Sequence, residues 1–106
     1  MHEGGTVWID LADKRRPGVV VEARGELVRV AYGTSNELPG TGAVVVHPDT
    51  RAGKKFPLVR TTYFYGANTG WELPDGLHPG AAECARDLFD EIRRLVEEHD
   101  ACVEET

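Results

Sequence analysis

A guanidinium and a pair of hydroxyls stand at the ends of two stretches that the sequence predicts to be neighbouring strands. Arg16 precedes Pro17 and a run of three valines, and Thr34-Ser35 closes the next apolar stretch. A cation beside a hydroxyl can meet the negative charge that develops on a phosphoryl group, because fixed donors stabilise such charge. The candidate catalytic residues are therefore Arg16, Thr34 and Ser35, and the predicted chemistry is phosphate chemistry.

Five further cations are candidates for contacting the phosphates of an extended substrate. Two of them directly precede Arg16, and three lie in a polar segment between His47 and Pro57. Clustered Lys and Arg side chains attract phosphates, although cations in loops are often only solvated. The residues of this predicted phosphate-binding set are Lys14, Arg15, Arg51, Lys54 and Lys55.

Short apolar stretches predict the strands that position these residues. Thr6–Leu11 and Leu27–Tyr32 alternate apolar and polar residues, which is typical of half-buried strands. Val19–Val21 is a β-branched run, as in a strand that is covered on both faces. Ala23–Glu26 has the composition of a hairpin turn in which Gly25 supplies a positive φ. The second and third strands are thus predicted to be adjacent and antiparallel.

The remaining chain predicts further strands and then one helix. The later strands are predicted at Ala43–Val46 (a buried strand), Arg60–Tyr65 and Trp71–Leu73, and the loops or turns at Asn36–Gly42, His47–Pro57 and Gly66–Gly70. Five or six short strands over about residues 6–73 predict a small barrel or sandwich. From Pro79 to about residue 100 the apolar residues repeat at helical spacing, so this helix should cover an open face of the barrel.

Length and composition indicate one globular domain. The chain has 106 residues, and no stretch approaches the roughly 18 consecutive apolar residues of a membrane span. The amino terminus lacks the basic-then-apolar pattern of a secretory signal, so a cytoplasmic location is expected. Cys84 and Cys102 are predicted to lie on one helix, too far apart for a disulfide bond, which fits a reducing compartment.

The net charge of −6 is unevenly distributed along the chain. Residues 1–71 carry nine Lys/Arg and seven Asp/Glu, a balance of +2, whereas residues 72–106 carry three and eleven, a balance of −8. Only the first two thirds therefore suits a polyanionic ligand. The sequence lacks a phosphate-loop motif, a nucleophile elbow and metal-ligand spacing, so no cofactor or metal ion is expected.

The order of these features resembles the PemK/MazF-like toxins of bacterial toxin–antitoxin pairs. The matching segments are Gly5–Leu11, Arg15–Val21 and Val30–Ser35, followed by the strand at Thr61–Phe64 and the carboxy-terminal helix. The resemblance implies an SH3-like barrel with an appended helix, and a homodimer. It also implies a hydrolase-class endoribonuclease that cleaves single-stranded RNA without a metal ion, with an antitoxin protein as partner.

The resemblance also implies roles for the candidate residues. Arg16 corresponds to the catalytic arginine of the family, and Thr34, beside Ser35, to its catalytic threonine. The 2′-hydroxyl of the RNA would attack the adjacent phosphorus, so no protein nucleophile is needed. Arg16 would stabilise the charge of the phosphorane or donate a proton to the leaving oxygen, and the first role suits it better, because a guanidinium with a pKa above ~12 is a poor proton donor. Thr34 would hold a phosphoryl oxygen.

Two other functions are compatible with the same scaffold. One is a non-catalytic SH3-like module whose acidic helix or loops bind a protein, and the other is an inhibitor of a protein target such as gyrase. Aromatic residues could stack on bases or pack in the core, and Trp8 is expected to pack. At least three of five others should be buried: Tyr32, Tyr63, Phe64, Tyr65 and Trp71.

Overall fold

One antiparallel sheet of six strands and a long carboxy-terminal helix make up the protein. The computed structural model describes residues 1–12, 14–56 and 58–104, so Pro57, the end of a predicted loop, lies outside the described residues. The elements are β1 (Gly5–Leu11), β2 (Lys14–Arg24), β3 (Leu27–Thr34), β4 (Ala43–Val46), α1 (Arg51–Lys55), β5 (Thr62–Glu72), β6 (Leu77–Glu83) and α2 (Arg86–Glu104).

The strand order is β4-β5-β3-β2-β1-β6, and each neighbouring pair is antiparallel. The prediction of a mainly β fold with a carboxy-terminal helix is confirmed. The two outer strands, β4 and β6, each pair on one side only in the part of the chain that the structure describes, so the sheet is open. The predicted closure into a barrel is not observed.

The predicted hairpin between the second and third strands is confirmed. β2 and β3 pair from Arg24 opposite Leu27 to Gly18 opposite Tyr32. Gly25 has a φ of +59°, in the left-handed region that favours glycine. The hairpin forms the centre of the sheet and carries Arg16 and Thr34 at its open end.

Both faces of the sheet bury apolar side chains. Val19 and Val21 belong to a cluster that α2 covers, whereas Val20 belongs to a second cluster on the other face. All three valines are at most 3% exposed, as predicted for a strand covered on both faces. The second cluster is built from residues of β1, β2, β3 and β6 alone.

Helix α2 covers the first of these clusters through one apolar stripe. Ile92 and Val96 are buried, and Leu88, Phe89 and Leu95 pack at the edge of the cluster. The predicted apolar stripe is therefore confirmed. Burial of such a face provides most of the stability of an amphipathic helix. Neither helix in the described residues is long and apolar enough to cross a membrane.

The segment predicted as a turn at Gly66–Gly70 is instead the middle of β5. The pairing of β3 with β5 moves from Ala31 opposite Thr69 to Gly33 opposite Phe64, so the excess residues of β5 form a wide bulge. A Cβ atom on Gly66 would lie 2.2 Å from the carbonyl oxygen of Leu95. The glycine thus allows the backbones of β5 and α2 to approach closely, and the strand bends instead of reversing.

The helix begins later than predicted, because a sixth strand occupies its expected first residues. β6 pairs with β1 and places Pro79 opposite Val7, whereas Pro79 was predicted to start the helix. A proline is tolerated in an edge strand, where its missing N–H is not required by a second neighbour. Pairing with β1 therefore outweighs the weak strand propensity of this glycine- and alanine-rich segment. The last strand is not Trp71–Leu73, which mostly belongs to β5.

Two smaller differences concern the middle of the chain. The predicted loop after His47 contains the short helix α1, and the hydroxyl of Thr50 caps it by accepting a hydrogen bond from the Gly53 N–H at 3.1 Å. β4 is an edge strand with Val45 44% exposed, so the prediction of a strand buried on both faces is wrong there. Cys84 precedes α2, and both cysteines are free thiols.

An ion pair joins the end of α2 to the centre of the sheet. The guanidinium of Arg29 donates two hydrogen bonds to the carboxylate of Asp100, at 2.6 and 2.8 Å. A third donor, Nε, contacts the hydroxyl of Thr69 at 3.1 Å. Hydrogen bonds from Arg29 hold the pKa of Asp100 below its usual value. The pair fixes the carboxy-terminal turns of the helix on β3.

We expect Asp100→Asn to lower the free energy of unfolding by about 1 to 2 kcal/mol at neutral pH, because the half-buried guanidinium loses a charged partner that is itself partly screened. A depressed carboxyl pKa stabilises the fold above the unfolded-state pKa of ~3.9, and this contribution disappears as the pH falls through the folded-state value. Urea unfolding at neutral and acidic pH measures both effects.

Asp90→Asn is the matched control for this change. Asp90 lies on the same helix and faces Arg86 at 3.8 Å, with both side chains exposed. Its substitution should change the free energy of unfolding by less than about 0.5 kcal/mol. Equal destabilisation by the two variants, or a deficit of Asp100→Asn that persists in acid, would contradict the assigned role of the ion pair.

Candidate functional site

Strand register brings the two principal candidate residues side by side. Gly18 lies opposite Tyr32 in the β2–β3 pair, and the same register carried two residues further sets Arg16 opposite Thr34. The Nη1 atom of Arg16 lies 3.5 Å from Oγ1 of Thr34. Both side chains are half-buried. The predicted convergence of a guanidinium and a hydroxyl from neighbouring strands is thus observed.

The Thr34 hydroxyl is oriented by donors on one side. Its oxygen accepts hydrogen bonds from the Arg16 guanidinium and, at 3.1 Å, from the backbone N–H of Asn36. A hydroxyl whose oxygen accepts two hydrogen bonds still has its own proton to donate. Thr34 can therefore donate to an anionic oxygen that the guanidinium contacts at the same time.

Tight packing behind these residues fixes their spacing. A Cβ atom on Gly33 would lie 2.4 Å from Cγ2 of Thr62 and 3.0 Å from Cγ of Pro17. Pro17 follows Arg16, and Gly33 precedes Thr34, so this contact sets the distance between β2 and β3 at the site. Glycine is required here for close approach and not for an unusual φ.

Arg16 and Thr34 line a cleft of about 410 Å³, which we call the basic cleft. The basic cleft is also lined by Ser35, Asn36 and Trp8, and its cations are Lys14, Arg15, Arg16 and Arg60. No acidic side chain lines it among the described residues. Lys14 and Arg60 form no ion pair with any carboxylate in the described ranges. A protein of net charge −6 thus concentrates positive charge at this point.

Arg15 differs from the other cations of the basic cleft because it forms an ion pair with a carboxylate. Its Nε atom donates to Asp10 at 2.9 Å, and His78 contacts the other oxygen of the same carboxylate at 2.9 Å. The hydrogen bond from Arg15, with a second from His78, lowers the pKa of Asp10. Asp10 therefore stays ionised and orients Arg15 at the rim of the basic cleft.

A second cleft, of about 580 Å³, shares Arg16, Thr34 and Asn36 with the first. We call it the neutral cleft, because Arg16 is the one charged side chain among its described lining residues. The other residues that matter for its shape are Leu11, Tyr32, Leu38, Tyr65 and Asn68. Arg16 and Thr34 thus stand at the boundary between a cationic and an uncharged depression.

The loop after β3 is held over the neutral cleft by one tyrosine. The hydroxyl of Tyr65 accepts from the N–H of Leu38 at 2.6 Å and donates to the carbonyl of Asn36 at 3.3 Å. On the same strand, the Asn68 amide donates to the carbonyl of Tyr32 at 3.3 Å. Burial, with the nearby Glu72 carboxylate, raises the pKa of Tyr32. The Tyr32 hydroxyl, which donates to Glu72, is therefore unsuited to proton transfer.

Three of the predicted phosphate-binding cations lie elsewhere. Arg51, Lys54 and Lys55 belong to α1. Arg51 and Lys55 line a separate depression against α2, together with the carboxylates of Asp87 and Glu91. The structure does not bring these cations into the basic cleft, and their contact with a nucleic acid stays a prediction.

The expectation for the aromatic residues is confirmed. Tyr32, Phe64 and Tyr65 are at most 9% exposed, whereas Trp71 is 39% exposed. Trp8 packs against the apolar cluster that α2 covers, as expected, and it also lines the basic cleft. Burial raises the pKa of the Cys84 thiol to about 12, so this thiol is not a nucleophile at neutral pH.

Sequence reasoning missed two residues that the fold brings to the site. Arg60 was assigned to a strand, but it precedes β5 and lines the basic cleft. No local signal predicts this position, because it depends on the pairing of β5 with β3 near Thr34. Asn68 was assigned to a turn, and its glycine-rich surroundings did indicate irregular backbone.

No protein-family model and no curated protein matches the chain. The resemblance to PemK/MazF-like toxins therefore stays a prediction from the order of residues in the sequence. Among the described residues, no group of three or more His, Cys, Asp or Glu side chains is arranged to hold a metal ion.

Proposed function

We propose that the protein is an endoribonuclease that cleaves single-stranded RNA at the boundary of the basic and neutral clefts. The observation that carries the proposal is the pairing of Arg16 with Thr34 at 3.5 Å inside a cleft with four cations. The described lining residues of the basic cleft include no carboxylate. Such a site attracts a phosphodiester and can stabilise additional negative charge on it.

The chemistry requires no nucleophile from the protein. The ribose 2′-oxygen gives its proton to water and attacks the adjacent phosphorus, and the bond from phosphorus to the 5′-oxygen of the next nucleotide breaks as that oxygen takes up a proton from water. The products are a 2′,3′-cyclic phosphate and a 5′-hydroxyl. Arg16 donates hydrogen bonds to the equatorial oxygens, and Thr34 donates its free hydroxyl proton to one of them. Both donors meet charge that grows towards the transition state.

The proposal extends to the scaffold and to the partners. The six-stranded antiparallel sheet, with a second apolar cluster built from strand residues, supports an SH3-like arrangement of the strands, related to that of PemK/MazF-like toxins. By the same likeness we propose a cytoplasmic homodimer that an antitoxin protein restrains. Lys14, Arg15 and Arg60 hold the RNA backbone on either side of the cleavage point.

A second candidate function is binding of a protein partner, and one surface favours it. Leu27, Trp71 and Leu73 are 40%, 39% and 57% exposed. The β3–β5 register sets Val28 opposite Glu72, so these three side chains are neighbours at one end of the sheet. Exposed aromatic and aliphatic side chains are typical of interfaces, and this patch lies apart from the residues of both clefts.

The decisive experiment is cleavage of a long, unstructured RNA by the purified protein in excess chelator. We expect fragments that end in a 2′,3′-cyclic phosphate and begin with a 5′-hydroxyl. The same RNA with 2′-O-methyl riboses should remain intact, because the attacking oxygen is blocked. Cleavage of the methylated RNA would refute the mechanism. No cleavage of several unrelated RNAs would refute the proposed function and favour the binding module.

A further inference from the structure

We infer that the two clefts bind different parts of the RNA: the basic cleft binds the backbone, and the neutral cleft recognises a base. This inference rests on the proposed function and names the parts of its substrate that each depression takes. Arg16 and Thr34 belong to both clefts, which places the scissile phosphate between a phosphate-binding side and a base-binding side.

The basic cleft has the properties of a backbone site. Lys14 and Arg60 line it together with Arg16, and both are exposed and lack ion-pair partners among the described residues. Contacts between such cations and phosphates release counterions and carry no sequence information. The cleft therefore contributes affinity that falls with salt and is equal for all sequences.

The neutral cleft has the properties of a base site. Its walls are apolar at Leu11 and Leu38, and its volume of about 580 Å³ lies in the range of small-ligand pockets. Asn68 donates one amide hydrogen to the carbonyl of Tyr32, which orients the side chain. Its Oδ1 atom and second N–H remain to pair with the edge of an unstacked base, as amides do in sequence-specific RNA recognition.

The loop that forms one wall of the neutral cleft is itself held in place. Tyr65 bonds to the backbone on both sides of Glu37, at Asn36 and Leu38. Asn36 presents its amide side chain at the boundary of the two clefts, and that side chain makes no hydrogen bond within the described residues. A base site needs such preformed walls, because ordering a loop on binding would reduce affinity.

The test is binding of 2′-O-methyl octamers of A, C and U, which the protein cannot cleave, to the full chain and its variants. We expect the parent to prefer one octamer. Asn68→Ala should reduce this preference by about tenfold and leave the salt dependence unchanged. Lys14→Ala and Arg60→Ala should each weaken all three octamers by the same factor, and should lower the slope of log K against log salt by about 0.7.

Two further variants make the result decisive. Asn36→Ala removes an amide that contributes no bond to the fold, so a loss of preference there cannot be attributed to misfolding. Arg24→Ala, at the far end of β2, should change neither quantity. Thermal unfolding verifies that each variant is folded.

The inference is overturned if the parent binds all three octamers equally. It is also overturned if Asn68→Ala and Asn36→Ala leave the preference unchanged, or if Lys14→Ala and Arg60→Ala alter it. Cleavage of unmodified RNA together with any of these results would leave the nuclease proposal standing and remove the division of the clefts. Base-dependent binding without cleavage would support the division of the clefts and refute the nuclease proposal.

Discussion

Arg16→Ala is expected to slow RNA cleavage by about 1000-fold while leaving the fold intact. The guanidinium is the cation nearest to the Thr34 hydroxyl, and it borders both clefts. Alanine removes the charge that stabilises the phosphorane, and nothing else among the described residues donates to Thr34 Oγ1 except the N–H of Asn36. Single-turnover cleavage rates with excess protein in chelator measure the loss.

Matched variants separate the chemistry from the charge. Arg16→Lys keeps the charge but loses the planar set of donors, so we expect it to recover about one tenth to one hundredth of the parental rate. Arg24→Ala removes an arginine from the other end of the same strand, where the guanidinium carbon lies 5.1 Å from the centre of the Trp71 ring. This variant should cleave at the parental rate. Equal rates for Arg16→Ala and the parent would place the active site elsewhere.

Thr34→Val tests whether the two residues act as one unit. Valine retains the shape of threonine and removes the donor, which should slow cleavage by about 100-fold. Since both side chains stabilise the same phosphoryl group, the double variant should lose much less than the product of the single losses. Independent, multiplicative losses would mean that Thr34 acts apart from Arg16.

The central hairpin was predictable because the signal for its turn is local. Gly25 marks the turn, but the register that starts there shifts by one residue at an irregularity between Val20 and Glu22. This shift, which the sequence does not indicate, sets Arg16 against Thr34 and not against Ser35. The alternation of side chains then assigns faces without any knowledge of distant contacts. The same holds for α2, because the helical spacing of its apolar residues, among them Ile92 and Val96, is visible in its own sequence.

The errors arise where a distant partner decides the local structure. β6 forms through its pairing with the outer side of β1, and no pattern in Leu77–Glu83 indicates a strand. The glycines of Gly66–Gly70 indicated a turn, yet the proximity of Leu95 turns them into a bulge within a strand. Arg60 reaches the basic cleft only through the pairing of β5, which the sequence does not specify.

Gly33→Ala should destabilise the protein by about 2 to 3 kcal/mol, because the added methyl overpacks a buried position. The new Cβ would lie 2.4 Å from Thr62 Cγ2, 3.0 Å from the Pro17 ring and 3.1 Å from Phe64 Cζ. Thr62 and Phe64 are buried, so neither can move aside into solvent. β3 must therefore shift relative to β2 and β5, which also displaces Thr34 from its position beside Arg16. Urea unfolding and the cleavage rate measure the two consequences.

Two further substitutions identify the cause of this loss. Gly42→Ala adds the same methyl at a position with nothing within 4 Å, and it should change the free energy of unfolding by less than about 1 kcal/mol. Thr62→Ser removes the nearest clashing methyl but keeps the hydroxyl that donates to the Arg60 carbonyl at 3.1 Å. In the Gly33→Ala background it should restore part of both the stability and the cleavage rate. If Thr62→Ser restores neither, the contact between Gly33 and Thr62 does not set the spacing of Arg16 and Thr34.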